Sequence, residues 1–223
     1  MKASALIASR RALVFDLDGT LADTITDLWL ALNAALQDCG LPPVGVELVQ
    51  ESLHGGLPET VRAVTSTLRA GPGVLPELSR RYAVHYQQRA HAASSLYAGV
   101  VDLLDACRKR RIPLAVCTNK SRDAAMALLT RLAIADRFQC VVGGDSADHP
   151  KPHPAPLLFA LRELATGPGQ AVMIGDSHVD AECAARAGVD FVLHTGGYGV
   201  AEAGPYPVAA RFDSYRELAL NEH

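Results

Sequence analysis

The 223-residue chain is 49% hydrophobic and 20% charged, a balance that allows a packed core and excludes a disordered chain. Its formal net charge of −3 gives no general attraction to nucleic acid or to an anionic membrane, so an anionic ligand would need local cations or a metal. Five singly placed cysteines, with no C-x-x-C pair, argue against a disulfide framework and a structural zinc site. The opening MKASALIASRR lacks a signal-peptide core, and no apolar run reaches membrane-spanning length. A cytoplasmic protein without a nucleic-acid or membrane partner is expected; oligomeric state is not encoded in any pattern of this sequence.

Residues 12–16 (ALVFD) form a short apolar run, the pattern of a strand buried on both faces. From about 22 to 96 the period is helical: 27–39 ended by Gly40, then 46–53, 59–69 and 75–91, with Leu28, Trp29, Leu32 and Leu36 as expected core. Strand and helix then alternate. A helix over 99–109 precedes a strand over 112–117, and a helix over 121–132, with Ser121 as its N-cap, precedes a strand over 138–142. A helix over 156–164, a strand over 171–174, a helix over 179–187 stopped by Gly188, and a weaker strand over 191–194 complete the series. The Gly- and Pro-rich stretch 195–207 reads as a loop. The predicted fold is α/β, a doubly wound parallel sheet with a Rossmann-like core and an inserted all-helical cap domain. Residues 1–21 and 97–223 form the core in this reading, and 22–96 the cap.

Ligands of open parallel sheets bind beyond the carboxyl ends of the strands. Four polar clusters fall there: Asp16-Leu17-Asp18-Gly19-Thr20, Thr118-Asn119, Lys151, and Gly175-Asp176-Ser177-His178-Val179-Asp180. Four carboxylates aimed at one small volume repel unless a cation lies among them. Oxygen donors with room for water and phosphate suit Mg²⁺ better than zinc or copper. Each Asp alone could serve as a helix cap, but capping does not require Asp at i and i+2 together with a distant lysine. A receiver-type regulator also clusters Asp, Thr and Lys, yet carries no helical insertion after its first strand. His149 and His153 flank Lys151 among three prolines that forbid a helix, so a zinc pair is disfavoured. The run Arg108-Lys109-Arg110-Arg111 complements a helix C-terminus.

DLDGTLADT, CTN, the lysine of HPKPHP, and GDSHVD resemble, in order, the four motifs of the haloacid dehalogenase superfamily. The resemblance implies Asp16 as the nucleophile that forms an aspartyl phosphate, and Asp18 as the acid that protonates the leaving oxygen and then activates water. It further implies Lys151 as the balancing cation and Gly19, Thr20, Thr118 and Asn119 as substrate contacts. Asp16, Asp18 (through its backbone carbonyl) and Asp176 would be the Mg²⁺ ligands, with Asp180 supporting them.

Asp18 favours phosphoryl chemistry over dehalogenation, which has no alcohol to protonate. Within the superfamily NAALQDCG, GGDS, KPHPAPLL and HTGGYG resemble the phosphoglycolate phosphatase group, implying 2-phosphoglycolate or a similar small phosphorylated metabolite as substrate. His54, Gly55 and Arg62 of the cap are then the candidate contacts to its carboxylate. The alternatives are a phosphomutase of the β-phosphoglucomutase type and a catalytically silent binding protein. The cap stretch 53–60 has no Arg or Lys of the kind such mutases use.

Overall fold

The continuous apolar runs become strands of a parallel sheet because both of its faces are covered. The computed structural model describes residues 2–199 and 204–220. Its six-stranded sheet contains β1 (Ala12–Phe15), β4 (Leu114–Cys117), β5 (Cys140–Val142), β6 (Ala171–Gly175), β7 (Asp190–His194) and β8 (Ala210–Phe212). Their order is β5-β4-β1-β6-β7-β8, all parallel, with Leu13 opposite Leu114 on one side and Val172 on the other. The chain therefore changes direction of travel beside β1, and the crevice at its carboxyl end is the switch point.

Alternation along the strands divides the core. Leu13, Phe15, Val116 and Ile174 face one apolar layer, with Leu6 and Ile7 of α1 (Ala3–Ala8), Leu103 and Leu104 of α6 (Val100–Lys109), and Leu128 and Leu129 of α7 (Arg122–Arg131). Ala12, Val14, Ala115, Cys117 and Met173 face the other, with Leu157 and Leu161 of α8 (Ala155–Glu163) and Cys183 and Ala184 of α9 (His178–Ala187). Phe15 is fully buried, and truncating such a ring to Ala costs about 3–5 kcal/mol. This packing fixes where β1 ends, and so where Asp16 begins.

Contact density separates two compact units, residues 1–23 with 96–223, and residues 24–95. The second unit is helical: α2 (Ile25–Asp38), α3 (Val46–Ser52), α4 (Leu57–Thr67) and α5 (Leu75–Gln88) surround Leu28, Leu32, Leu36, Val49, Val61, Val64, Leu78 and Tyr82. Asp27 on α2 is fully buried there, and accepts from Arg89 Nε (2.8 Å), the Ala93 amide (2.9 Å) and Ser94 Oγ (2.8 Å). A buried carboxylate with three donors ties the unit's beginning to its end. Trp29 is half-buried and donates through Nε1 to the Val44 carbonyl.

Several local expectations are corrected. The strand expected from 112 begins at Leu114, since Pro113 has no amide to donate, although its carbonyl accepts from Leu13. Ser121 occupies the N-cap position of α7 without a side-chain hydrogen bond to the helix. Short elements were missed: α1, β8, and the ribbon of β2 (Ala22–Asp23) with β3 (Ser95–Leu96). Of the expected loop, residues 200–203 lie outside the described residues. No described helix is long and apolar enough to cross a membrane.

Candidate active site

Asp16 follows β1 directly, and its amide still donates to the Ile174 carbonyl of β6 (2.9 Å), so sheet pairing holds its backbone. Gly19, at φ +80°, then turns the chain, and a Cβ there would collide with Asp176. Lys151 Nζ lies 2.9 Å from Asp16 Oδ1 and 2.6 Å from Asp180 Oδ1. All three groups are buried. Asp180 is anchored in turn by a capping box: its Oδ2 accepts from the Ser177 amide (3.1 Å) and Ser177 Oγ (2.6 Å) at the start of α9.

Burial drives the Asp16 carboxyl up to about 6, with Lys151 pulling it down and Asp180 pushing it further up. Asp176 is raised to about 8 by burial, then by Asp180 and Asp16, against the stabilising hydrogen bond from Thr20. Burial opposes the charge of Lys151, but Asp16 and Asp180 outweigh it and hold its pKa well above the ordinary lysine range. Lys151 is therefore a fixed cation, while the carboxylates around it carry a surplus of negative charge.

The remaining expected residues divide by what they touch. Thr118 is buried at the end of β4, and its Oγ1 accepts from the Lys120 amide (3.3 Å). Thr20, expected as a substrate contact, donates to Asp176 Oδ1 (2.8 Å) from a fully buried position. Asn119, expected in the same role, clasps the Lys151 backbone: Oδ1 accepts from its amide and Nδ2 donates to its carbonyl, both at 2.9 Å. Spacing brought both to the site; an unpaired polar group out of water is costly, and each finds its own partner there, Thr20 on Asp176 and Asn119 on the Lys151 backbone. Asp18 does not join the cluster of carboxylates, because its side chain is paired to Lys120 at 2.7 and 2.8 Å. In the helical unit, His54 and Gly55 lie in a single 3₁₀ turn (Leu53–Gly55), and Arg62 is an exposed partner of Glu59 at 2.9 Å.

Sequence reasoning missed Lys120 and the work of the loop after β7. The Tyr198 and Gly199 amides donate to Asp176 Oδ2 at 2.9 and 3.1 Å, and the Tyr198 hydroxyl donates to Asp23 (2.6 Å). Any side chain at Gly197 or Gly199 would strike the Asp176 segment, which accounts for glycine at both. The buried His194 ring has its pKa lowered by burial, and Nδ1 donates to the Gly19 carbonyl (3.0 Å). The glycines flanking one aromatic after a strand end were the available signal.

Asp16, Asp176 and Asp180 offer carboxylate oxygens within 4.8 Å of one another. Asp16 Oδ1 is buried with the Lys151 ammonium 2.9 Å away, and Asp180 is taken by the same Lys151 and by Ser177. Asp16 shares that one ammonium with Asp180, and the printed partners of Asp176 are neutral donors, so the three carboxylates outnumber the positive charge beside them. Hard oxygen donors with raised pKa values fit a divalent cation of the Mg²⁺ or Ca²⁺ type.

This surplus predicts a pH effect on stability. Asp16 and Asp176 titrate in the folded chain near 6 and 8 rather than at the ordinary 3.8. Between those limits the folded state binds more protons than the unfolded one, so metal-free protein should lose stability as pH rises. The change should be on the order of several kcal/mol, as linkage sets for two buried groups shifted this far. Thermal melting with a chelator should fall from about pH 5 to about pH 8, and Mg²⁺ should flatten the profile. Equal slopes with and without Mg²⁺ would contradict a cation at these carboxylates.

Residues 13–194 match the family model of haloacid dehalogenase-like hydrolases. A phosphoglycolate phosphatase of Chromobacterium violaceum is 36% identical over 211 residues, covering 93% of this chain and 94% of the relative. A phosphoglycolate phosphatase of Rhodobacter capsulatus is 33% identical over 213 residues, again covering 93% and 94%. The crystal structure of a predicted phosphoglycolate phosphatase from Haemophilus somnus superposes with a TM-score of 0.83 at 29% identity, covering 94% of this chain and 96% of that one. A family model and relatives that run along nearly the whole chain agree with four motifs gathered at the carboxyl ends of the strands: the chain belongs to the haloacid dehalogenase-like hydrolases, and it is an enzyme.

Proposed function

We propose that this phosphatase of small phosphate esters hydrolyses 2-phosphoglycolate or a closely similar phosphorylated metabolite, with Mg²⁺ as cofactor and Asp16 as nucleophile. The observation that carries the chemistry is the buried Asp16–Lys151–Asp180 chain, with a second carboxylate, Asp18, on the same turn. The substrate reading rests on the relatives' names and on the resemblance of HTGGYG and KPHPAPLL to that group.

Asp16 attacks phosphorus, forming an Asp16–phosphate bond as the ester oxygen–phosphorus bond breaks. Asp18 gives its proton to the departing oxygen. Water then attacks the phosphoryl group, Asp18 takes back a proton, and inorganic phosphate leaves as Asp16 is regenerated. Lys151 stays charged throughout and stabilises the oxygens of the transferring group, with Asp180 fixing its direction. The Thr118 hydroxyl contacts a phosphoryl oxygen. Asp16, Asp176 and the Asp18 carbonyl would hold Mg²⁺, which would supply positive charge against the phosphoryl oxygens. The helical unit, carrying His54, Gly55 and Arg62, acts as the cap that selects the substrate. We place the enzyme in the cytoplasm, in keeping with five free cysteines, three of them buried.

Phosphate release should be measured across a panel of phosphorylated metabolites, before and after chelation. Among the esters, 2-phosphoglycolate should show the highest kcat/KM. Activity should vanish on chelation and return with Mg²⁺ but hardly with Ca²⁺, whose larger and looser shell misplaces nucleophile and phosphorus. A different ester preferred by about tenfold, some 1.4 kcal/mol, would replace the substrate assignment. Full turnover after exhaustive chelation would remove the metal.

A further inference from the structure

Two lysines, not one, lie against the reacting carboxylates. Lys151 belongs to the Asp16 and Asp180 side, whereas Lys120 Nζ lies 2.8 Å from Asp18 Oδ1 and 2.7 Å from Asp18 Oδ2. The side chains of this second pair are only 7% and 12% exposed. An exposed ion pair contributes little, but a buried one requires both charges to leave water, which only close geometry offsets. The backbone that presents Lys120 is held on both sides. Its amide donates to Thr118 Oγ1 (3.3 Å), its carbonyl accepts from the Gly144 amide (2.9 Å), and its neighbour Asn119 grips the Lys151 backbone. The lysine is therefore a mounted part of the loop after β4, and its ammonium meets both oxygens of one carboxylate.

Asp18 has reason to need such a holder. Its carboxylate leaves a turn that also carries Asp16, and Asp176 lies against Gly19 on that turn, so repulsion alone would push it out of place. A proton carrier works only when its oxygen reaches the leaving group, and an error near 1 Å is expensive in rate.

We propose that Lys120 is a positioning residue for the reaction, holding the Asp18 carboxylate in the one orientation from which it can serve both the leaving oxygen and the attacking water. The inference rests on Asp18 as the shared acid and base. It gives Lys120 no contact with the substrate, and it separates the duties of the two lysines: Lys151 for the nucleophile and phosphoryl charge, Lys120 for the proton carrier.

The test uses the full chain with Mg²⁺ and the variants Lys120→Met, Lys120→Arg, Asp18→Asn and Lys120→Met/Asp18→Asn. Single-turnover rates are followed with p-nitrophenyl phosphate and with the alkyl phosphate that the enzyme turns over best. In Lys120→Met, phosphoryl transfer from the alkyl ester should fall on the order of 10-fold, a fraction of the full general-acid contribution. The first phenolate release should stay within about threefold of wild type, and KM for both esters should hardly move. Lys120→Arg should restore part of the alkyl rate, since it keeps the charge. In the Asp18→Asn background the Met substitution should change neither rate, because the group it positions is gone.

Equal slowing of both esters, an additive effect in the double variant, or a raised KM with kcat retained would each overturn the assignment. The first two leave Lys120 as a structural ion pair, and the third makes it a substrate contact. A wild-type enzyme that never carries phosphate on Asp16, or an Asp18→Asn variant that treats both esters alike, instead overturns the reading on which this one rests.

Discussion

Asp18→Asn should release one equivalent of p-nitrophenolate per site in a burst and then nearly stop. Asn is close in shape to Asp, and the backbone carbonyl is unchanged, so the nucleophile Asp16 and its partner Lys151 should keep their places. A nitrophenolate leaves without much help from an acid, so attack by Asp16 persists. Hydrolysis of the aspartyl phosphate has lost its base, and the intermediate accumulates. An alkyl phosphate needs the acid to leave, so with it the first step should slow by about 10²–10⁴-fold and no intermediate should build up. Stopped-flow absorbance against free-phosphate release checks both limbs. No burst, with both esters slowed equally, would make Asp18 a structural residue, and the proton would need another carrier.

Lys151→Met should damage both rate and fold. The Lys151 charge lies 2.9 Å from Asp16 and 2.6 Å from Asp180, all within the core. Removing one partner of a buried ionic group leaves the others uncompensated, typically a loss of 3–5 kcal/mol, or about that here. The loss should be larger at about pH 8 than at about pH 5. Burial already holds Asp16 up near 6, and without the lysine it protonates more readily, so acid relieves the repulsion. Urea unfolding at both pH values, with chelator present, measures this. Turnover should fall by about 10²–10³-fold, as when one fixed transition-state donor is removed. A change below about 1 kcal/mol at both pH values would show that the pair is no more than a solvated contact.

What could be read from the sequence follows from what leaves a mark in it. Strands buried on two faces leave uninterrupted apolar runs, so β1, β4, β5, β6 and β7 were visible within ALVFD, IPLAVC, FQCVV, AVMI and FVLH. The strand β8 is three residues at the sheet edge with an exposed Arg211 in its middle, and α1 is barely more than one turn. Neither is long enough to establish a period. The site divides in the same manner. Asp16, Lys151, Asp176 and Asp180 were legible because strand ends converge at a switch point, whatever the loops between them do. Which partner a hydroxyl or amide faces is decided by loop geometry over a few ångströms. Thr20 was thus placed at the site but not on Asp176, and Asn119 at the site but not on the Lys151 backbone. Lys120 sits one residue beyond a motif that was read, and only its contact with Asp18 gives it meaning.

The central claim is that phosphate passes through Asp16, and one measurement addresses it directly. Enzyme and ³²P-labelled phosphate ester are mixed with Mg²⁺, quenched in acid within milliseconds, digested, and the labelled peptide is sequenced. The account predicts label on the peptide containing Asp16, at substoichiometric level in the wild type and close to one per site in Asp18→Asn with an aryl ester. The acyl phosphate should be lost on treatment with hydroxylamine. Label on any other residue, or none in either protein under conditions of turnover, would contradict it.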